Sequence, residues 1–444
     1  MTNYRPRRAI KKAVDARFRA DRYSHTMSSA TDPIQTPLTL PCGAVLTTRL
    51  AKAAMTERAA TSRHNPTPEH VRLYTTWAES APGLLISGNI MTQRHSLESA
   101  GNVVVEDERA LAQLSEWARV ARSGGSHFWA QLSHSGRQTS RLVNNSPVSA
   151  SNVGLSDWKL YAKPRPLTEA EIHEIIRSFA RTATICQRAG FSGVQIHAAH
   201  GYLLSQFLSP LTNLRTDDWG GSLENRARLL LEAVRAVRSA CGAEFPISVK
   251  LNSADFQKGG FAEEDSLQVI AWLADLGVDL LEISGGNYES PSFMDLTDPN
   301  AQPVRESTRR REAYFLDFAA RVQERVQKIA AKLPLMITGG FRSRGFANET
   351  LASGAADVIG MGRPFLTDPY FAREFLSGKT ESVELPRFRV SKAISLMSEG
   401  GYYNFQIARL LKGRQPHLAL GPYRAAAHIL WHETKKSFAH RLFG

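Results

Sequence analysis

The stretch GVQIHAAHGYLLSQFLSP, residues 193–210, sets His197, His200 and Tyr202 close together, directly after an apolar alternation that reads as a buried strand. Imidazoles and a phenol can donate, accept or relay protons, and an imidazole does so near neutral pH. The same residues can equally be satisfied structural groups at a strand end. The surrounding elements must decide between the two readings.

Short apolar runs recur along the chain, most of them followed by a helical pattern. They are LAKAAM (50–55), GLLIS (83–87), HFWAQLS (127–133), GVQIHA (193–198), PISVKL (246–251), DLLEIS (279–284), LPLMIT (333–338) and ADVIGMG (356–362). Most are continuous rather than alternating, as strands buried on both faces require. Thr168 with Glu171 and Ser222 ahead of Leu223 supply helix starts, and Gly190, Gly277 and Gly354 supply helix ends. Eight such units predict an α/β fold, a (β/α)8 TIM barrel, with long loops after its strands. TPLTLPCGAVLTT ahead of the first strand reads as an N-terminal hairpin. The expected organisation is a basic, disordered extension over 1–30, the barrel over 31–380 and a basic helical tail over 381–444.

In such a barrel chemistry sits at the C-terminal ends of the strands, which puts His197, His200 and Tyr202 on the reactive rim. The seventh and eighth strands run into TGGFRS (338–343) and GMGRPF (360–365). Barrels often place a phosphate in these two loops. Gly340 and Gly362 let backbone N–H groups approach an anion, and Arg363 adds a charged fork. Thr56, Asn89, Gln131 and Lys250 lie at or near other strand ends. Hydroxyl, amide and ammonium groups around a cavity suit a flat heteroaromatic ring with donors and acceptors on its edge, such as a flavin. An ion-paired barrel interior would explain Gln131 and Lys250 as well. Phe341, Phe365, Tyr288 and Trp129 are read as core residues.

QIHAAHGYLLSQFLSPLTNLRTDDWGGSLENRARLLLE resembles the signature of the Old Yellow Enzyme family of FMN-dependent ene reductases. AAMT (53–56), AQLSHSGR (130–137), TGGFRS and GMGRPFLTDP resemble it too, in the family's order from about 35 to 375. The resemblance implies that Ala54, Met55 and Thr56 touch the flavin, that Asn89 lies at a contact position and that Gln131 bonds the pyrimidine edge. It puts Lys250, where relatives usually have Arg, at N1/O2, and Gly340, Gly362 and Arg363 at the phosphate. His197 and His200 would grip the electron-withdrawing oxygen of an activated alkene (an enone, enal or nitroalkene), and Tyr202 would donate the proton. NADH or NADPH would supply hydride. The family's pattern is departed from at Asn89 and Glu57. The four-Cys iron–sulfur motif of some large relatives is also missing, since no Cys follows Cys241; hydride is therefore expected to reach FMN directly.

Composition narrows the alternatives. Cys42, Cys186 and Cys241 lack metal-ligand spacing, so no metal site is expected. The net charge of +13 is concentrated at the ends: residues 1–26 carry +6 and residues 386–444 carry +8, leaving a nearly neutral body. Nucleic-acid binding is therefore not expected. No apolar run is long enough for a transmembrane segment, and a cytoplasmic location is expected. Organelle targeting by the Arg-rich N-terminus is the less favoured reading, and a homo-oligomer is left open. The expected partners are a small alkene and NAD(P)H. The alternative function is a non-catalytic flavin-binding sensor or membrane-attached adaptor. The tail is expected to pack on the barrel, with a surface-seeking helix as the other reading.

Overall fold

Strands β1 (Leu50–Lys52), β2 (Leu84–Met91), β3 (His127–Ser133), β4 (Gly193–Ala198), β5 (Ile247–Asn252), β6 (Leu280–Ser284), β7 (Leu335–Thr338) and β8 (Val358–Met361) each pair in parallel with the next. β8 returns to β1 and closes the barrel. The computed structural model describes residues 32–155, 161–284, 318–325, 328, 333–386, 388 and 392–443. The expected extension over 1–30 and Tyr288 lie outside them, and Pro33–Gly444 forms one compact unit.

The strands are apolar on both faces because the fold has two cores. Leu84, Ile86, Trp129, Leu280, Met336 and Val358 fill the lower barrel interior together with Leu40 and Leu46. Leu40 and Leu46 come from the expected hairpin, which pairs Leu38–Thr39 with Val45–Leu46 and plugs the N-terminal end. The second core lies between the strands and the surrounding helices. Phe341, Phe365 and Trp129 are buried in these cores.

The helices, of which α1 (Pro68–Glu79) and α2 (Leu111–Ala121) are the first, start and stop where their end residues direct. Thr168 and Glu171 form a reciprocal capping box on α3 (Glu169–Arg188), and Ser222 accepts from Asn225 N–H to start α4 (Leu223–Cys241). Gly190, Gly277 and Gly354 all have positive φ, just past helix ends. The tail forms two helices, here α5 (Lys392–Leu411) and α6 (Pro422–Phe443), joined by a short turn. Tyr402, Leu420 and Ala425 are buried between them. The Arg72 guanidinium donates to Leu411 O at 2.6 Å and ties the hairpin to the helix Pro68–Glu79.

One strand differs from the sequence expectation. Asn89 was expected after the second strand, but β2 runs on to Met91. Its register against β3 shifts between Ile86 and Asn89. A bulge of this kind re-aims the residues beyond it, and Asn89 thereby reaches Thr56 and Tyr202.

Candidate active site

The period of two along the strands lines the barrel interior with polar groups above the apolar plug. Gln131 Nε2 donates to Gln195 Oε1 at 2.8 Å, and Gln195 Nε2 donates to Glu282 Oε2 at 2.8 Å. Glu282 Oε1 lies 2.9 Å from Lys250 Nζ. All four side chains are buried, so every polar group needs a partner inside the barrel. The ion-paired interior weighed for Gln131 and Lys250 is therefore present. Gln195 and Glu282 were not singled out from the sequence. Their signal was there: an amide and a carboxylate in the middle of the apolar runs GVQIHA and DLLEIS.

At the end of β4 the chain turns sharply. His200 has φ 61° and Gly201 has φ 75°. The second of these left-handed positions suits glycine; the first is uncommon for a residue with a Cβ and marks a functional turn. Asn252 Oδ1 holds the strained backbone by accepting from His200 N–H at 3.1 Å. The turn brings the three groups together: the His197 ring lies 5.1 Å from His200 and 4.7 Å, edge-on, from Tyr202. His197 Nε2 lies 3.3 Å from His200 Nδ1, and His200 Nε2 lies 2.7 Å from Ser284 Oγ at the end of β6.

Burial pulls the His197 imidazole down to about 3, with the nearby Lys250 charge adding to the effect. His200 is held well below its ordinary value by the same two causes and by His197. Both rings are therefore neutral at physiological pH. With Ala199 N–H directed at His197 Nδ1 at 3.5 Å, one tautomer assignment satisfies the chain: His197 Nε2–H toward His200, and His200 Nε2–H toward Ser284.

Across the rim, Asn89 Nδ2 donates to Thr56 Oγ1 at 3.2 Å and to the Tyr202 hydroxyl at 3.4 Å. Asn89 Oδ1 is buried with no hydrogen-bond partner among the described residues, as is Thr338 Oγ1 at the end of β7. Ala54, Met55 and Thr56 follow β1 outside regular secondary structure and are half-buried. Beneath them Glu57 is buried: Tyr74 O–H donates to Glu57 Oε1 at 2.5 Å and Gly88 N–H donates at 2.9 Å. Lys52 Nζ donates to Tyr74 at 3.3 Å and to Ile86 O at 2.5 Å. Burial, more than the Lys250 charge, lowers the Lys52 amine to about 8, while Glu57 partly restores it. This cluster joins the β1 and β2 loops. The sequence reading noted Glu57 only as a departure from the family.

Gly339 and Gly340 follow β7 with φ 101° and 85°, and Gly339 N–H donates to Gly360 O at 3.4 Å, tying the turn to β8. Gly362 follows β8 close to Met55, whose Sδ would lie 3.2 Å from a Cβ at that position. Arg363 lies beside it, but its Nη1 donates to Glu399 of α5 at 2.6 Å, and its guanidinium lies 5.8 Å from the Tyr403 ring centre. Glu399, from the tail, was not anticipated as a partner. A flavin fits this donor and acceptor set. Asn89 Oδ1 and Thr338 Oγ1 have no hydrogen-bond partner among the described residues, and Gly340 and Arg363 stand in the loops after β7 and β8, where a phosphate would be held. Among the described residues no cluster of His, Cys, Asp and Glu could hold a metal ion.

Comparison with known proteins yields the same outline. The model of the NADH:flavin oxidoreductase / NADH oxidase family matches residues 33–381. The NADH-dependent flavin oxidoreductase nadA of Aspergillus parasiticus is 37% identical over 353 residues, covering 76% of this chain and 77% of that one. The NADH oxidase of Thermoanaerobacter brockii is 31% identical over 343 residues, 76% of this chain and 50% of its own length. Among solved structures, morphinone reductase superposes with TM-score 0.64 at 25% identity over 81% of this chain and 93% of that one. A 2-naphthoyl-CoA reductase bound to 2-naphthoyl-CoA superposes with TM-score 0.70 at 26% identity, covering 78% of this chain and about half, 52%, of that one.

Proposed function

Because the chain belongs to the NADH:flavin oxidoreductase / NADH oxidase family, we propose that it reduces activated C=C bonds, with His197 and His200 holding the substrate oxygen and Tyr202 donating the proton. It is an oxidoreductase, and its cofactors are FMN and a nicotinamide. The non-catalytic alternative is set aside on the same ground. When bound, FMN would supply two-electron hydride chemistry between NAD(P)H and the alkene.

The residues supply everything else. Thr56, Asn89 and Gln131 offer polar groups to the ring edge, with Lys250 beside them, and Gly340, Gly362 and Arg363 are assigned to the phosphate. The neutral imidazoles act as hydrogen-bond donors and not as cations. A carbonyl or nitro oxygen would replace His200 Nδ1 as the acceptor of His197 Nε2–H, and Ser284 Oγ as the acceptor of His200 Nε2–H. Withdrawing electron density through that oxygen makes the β-carbon the hydride acceptor. The Tyr202 phenol, oriented by Asn89 Nδ2, holds the proton that the α-carbon then takes.

The observation that carries this reading is the grouping of the two neutral imidazoles and the phenol on one rim, facing Thr56 and Asn89. Separate measurement of the two half-reactions tests it. In Tyr202→Phe, reduction of 2-cyclohexenone should slow about a hundredfold or more, while NAD(P)H oxidation keeps its rate. Equal slowing of both would remove the proton-donor role.

A further inference from the structure

The helix α6 meets the barrel through polar contacts on one side and exposes large apolar side chains on the other. Its inner side is pinned to the loops after β1 and β2. Lys436 Nζ donates to Ala60 O at 2.8 Å, His432 Nε2 lies 3.3 Å from Arg58 O, and Ser99 O–H donates to Glu433 Oε2 at 3.0 Å. Ala425 and Ser437 are buried on that side. The outer side carries Tyr423 at 66% exposure, Leu430 at 56%, Trp431 at 69% and Phe438 at 65%. At the α-helical period these four and Ala427 share one arc of about 100°. Scattered apolar residues on a surface need no explanation, but four large ones along one helix face do.

The charges beside this arc select its partner. Arg424 and Lys435 lie together along one edge of it, and both are exposed. The preceding turn exposes Lys412, Arg414 and Leu418. Residues 386–444 hold ten Lys and Arg against two acids, Glu399 and Glu433. Both acids are taken by ion pairs to the barrel side, Glu399 with Arg363 at 2.6 Å and Glu433 with Arg58 at 3.4 Å. The outer face is therefore apolar and cationic, with no acid on it.

A second copy of this helix would fit poorly. Antiparallel self-pairing about a two-fold axis brings each edge against its own counterpart, so the Arg424–Lys435 edge would meet itself. An anionic lipid surface meets both demands: acyl chains and the interfacial zone accept Trp, Tyr, Phe and Leu, and headgroup phosphates accept Arg and Lys. No helix among the described residues is long and apolar enough to cross a membrane, so the helix would lie on the surface. We propose that the outer face of α6 docks the protein onto anionic lipid bilayers, with Tyr423, Leu430, Trp431 and Phe438 inserted and Arg424 and Lys435 at the headgroups. This does not depend on the assignment of the alkene site.

Flotation of the full-length, FMN-loaded protein with phosphatidylcholine vesicles, with and without phosphatidylserine, tests the proposal. The protein should float with the phosphatidylserine vesicles, and less so as salt is raised. The double variant Trp431→Ser/Phe438→Ser should bind them at least about tenfold more weakly. Arg424→Gln/Lys435→Gln should lose the preference for anionic lipid. NADH oxidation serves as the control for folding, since none of these residues belongs to the active site. Absence of flotation, or equal flotation of wild type and Trp431→Ser/Phe438→Ser, overturns the proposal. So does a wild type that sediments as a dimer, fails to float and becomes monomeric in that variant, because the face then belongs to a second copy.

Discussion

Replacing Lys250 by Met should unmask the cost of the carboxylate buried opposite it. Glu282 is fully buried, and its Oε1 lies 2.9 Å from Lys250 Nζ. At that separation the attraction is about 6 kcal/mol for an effective dielectric constant of about 20. Desolvation of the two ions offsets much of it, so the intact pair contributes little net stability. Removing one partner is different, because it leaves an uncompensated charge and costs about 3–5 kcal/mol. Gln195 still donates to Glu282 Oε2, so the loss should lie near the lower end, about 3 kcal/mol. The double variant Lys250→Met/Glu282→Leu should recover most of the loss. Urea unfolding of the FMN-stripped proteins is the suitable assay, since cofactor binding adds its own stabilisation. A loss below about 1 kcal/mol for Lys250→Met would refute the reasoning, because the pair would then not be shielded from water. So would a double variant no more stable than Lys250→Met.

Three other outcomes follow from the site. Burial holds the Lys52 amine at about 8 against an ordinary 10.5, so between those values the unfolded chain binds more protons at this residue and its contribution to stability grows with pH; across that window the urea midpoint of the wild type should rise relative to that of Lys52→Met, and a constant difference between the two would contradict the assignment. His134 is buried and held at about 3 against 6.5, so stability should fall as pH drops through that interval, less steeply in His134→Asn, and an identical slope in both proteins would contradict the assignment. Arg363→Ala should weaken FMN binding about tenfold or more while leaving riboflavin binding nearly unchanged; equal weakening of both, read by flavin fluorescence, would take Arg363 off the phosphate.

Much of the fold was legible because local signals agreed with one another. The runs HFWAQLS and GVQIHA coincide with β3 and β4 residue for residue. The caps at Thr168 and Ser222 and the glycines at 190, 277 and 354 do what their chemistry requires. Asn89 was misplaced because a bulge is a property of a strand pair, and one strand's sequence does not announce it. Glu399 was missed as a partner of Arg363 because 36 residues separate them and no periodicity links the tail to the β8 loop.

The amino-acid sequence by itself determined the eight βα units, the rim on which HAAHGY stands and the identity of the groups available there. Those follow from short-range patterns: apolar runs, capping residues and turn glycines. Only the tertiary structure decided which polar groups meet. It joined Gln131, Gln195, Glu282 and Lys250 across four strands, set Ser284 against His200 and turned Asn89 toward Tyr202. It also decided that both imidazoles are neutral, because desolvation depends on what surrounds a group in space and not on its neighbours in the chain.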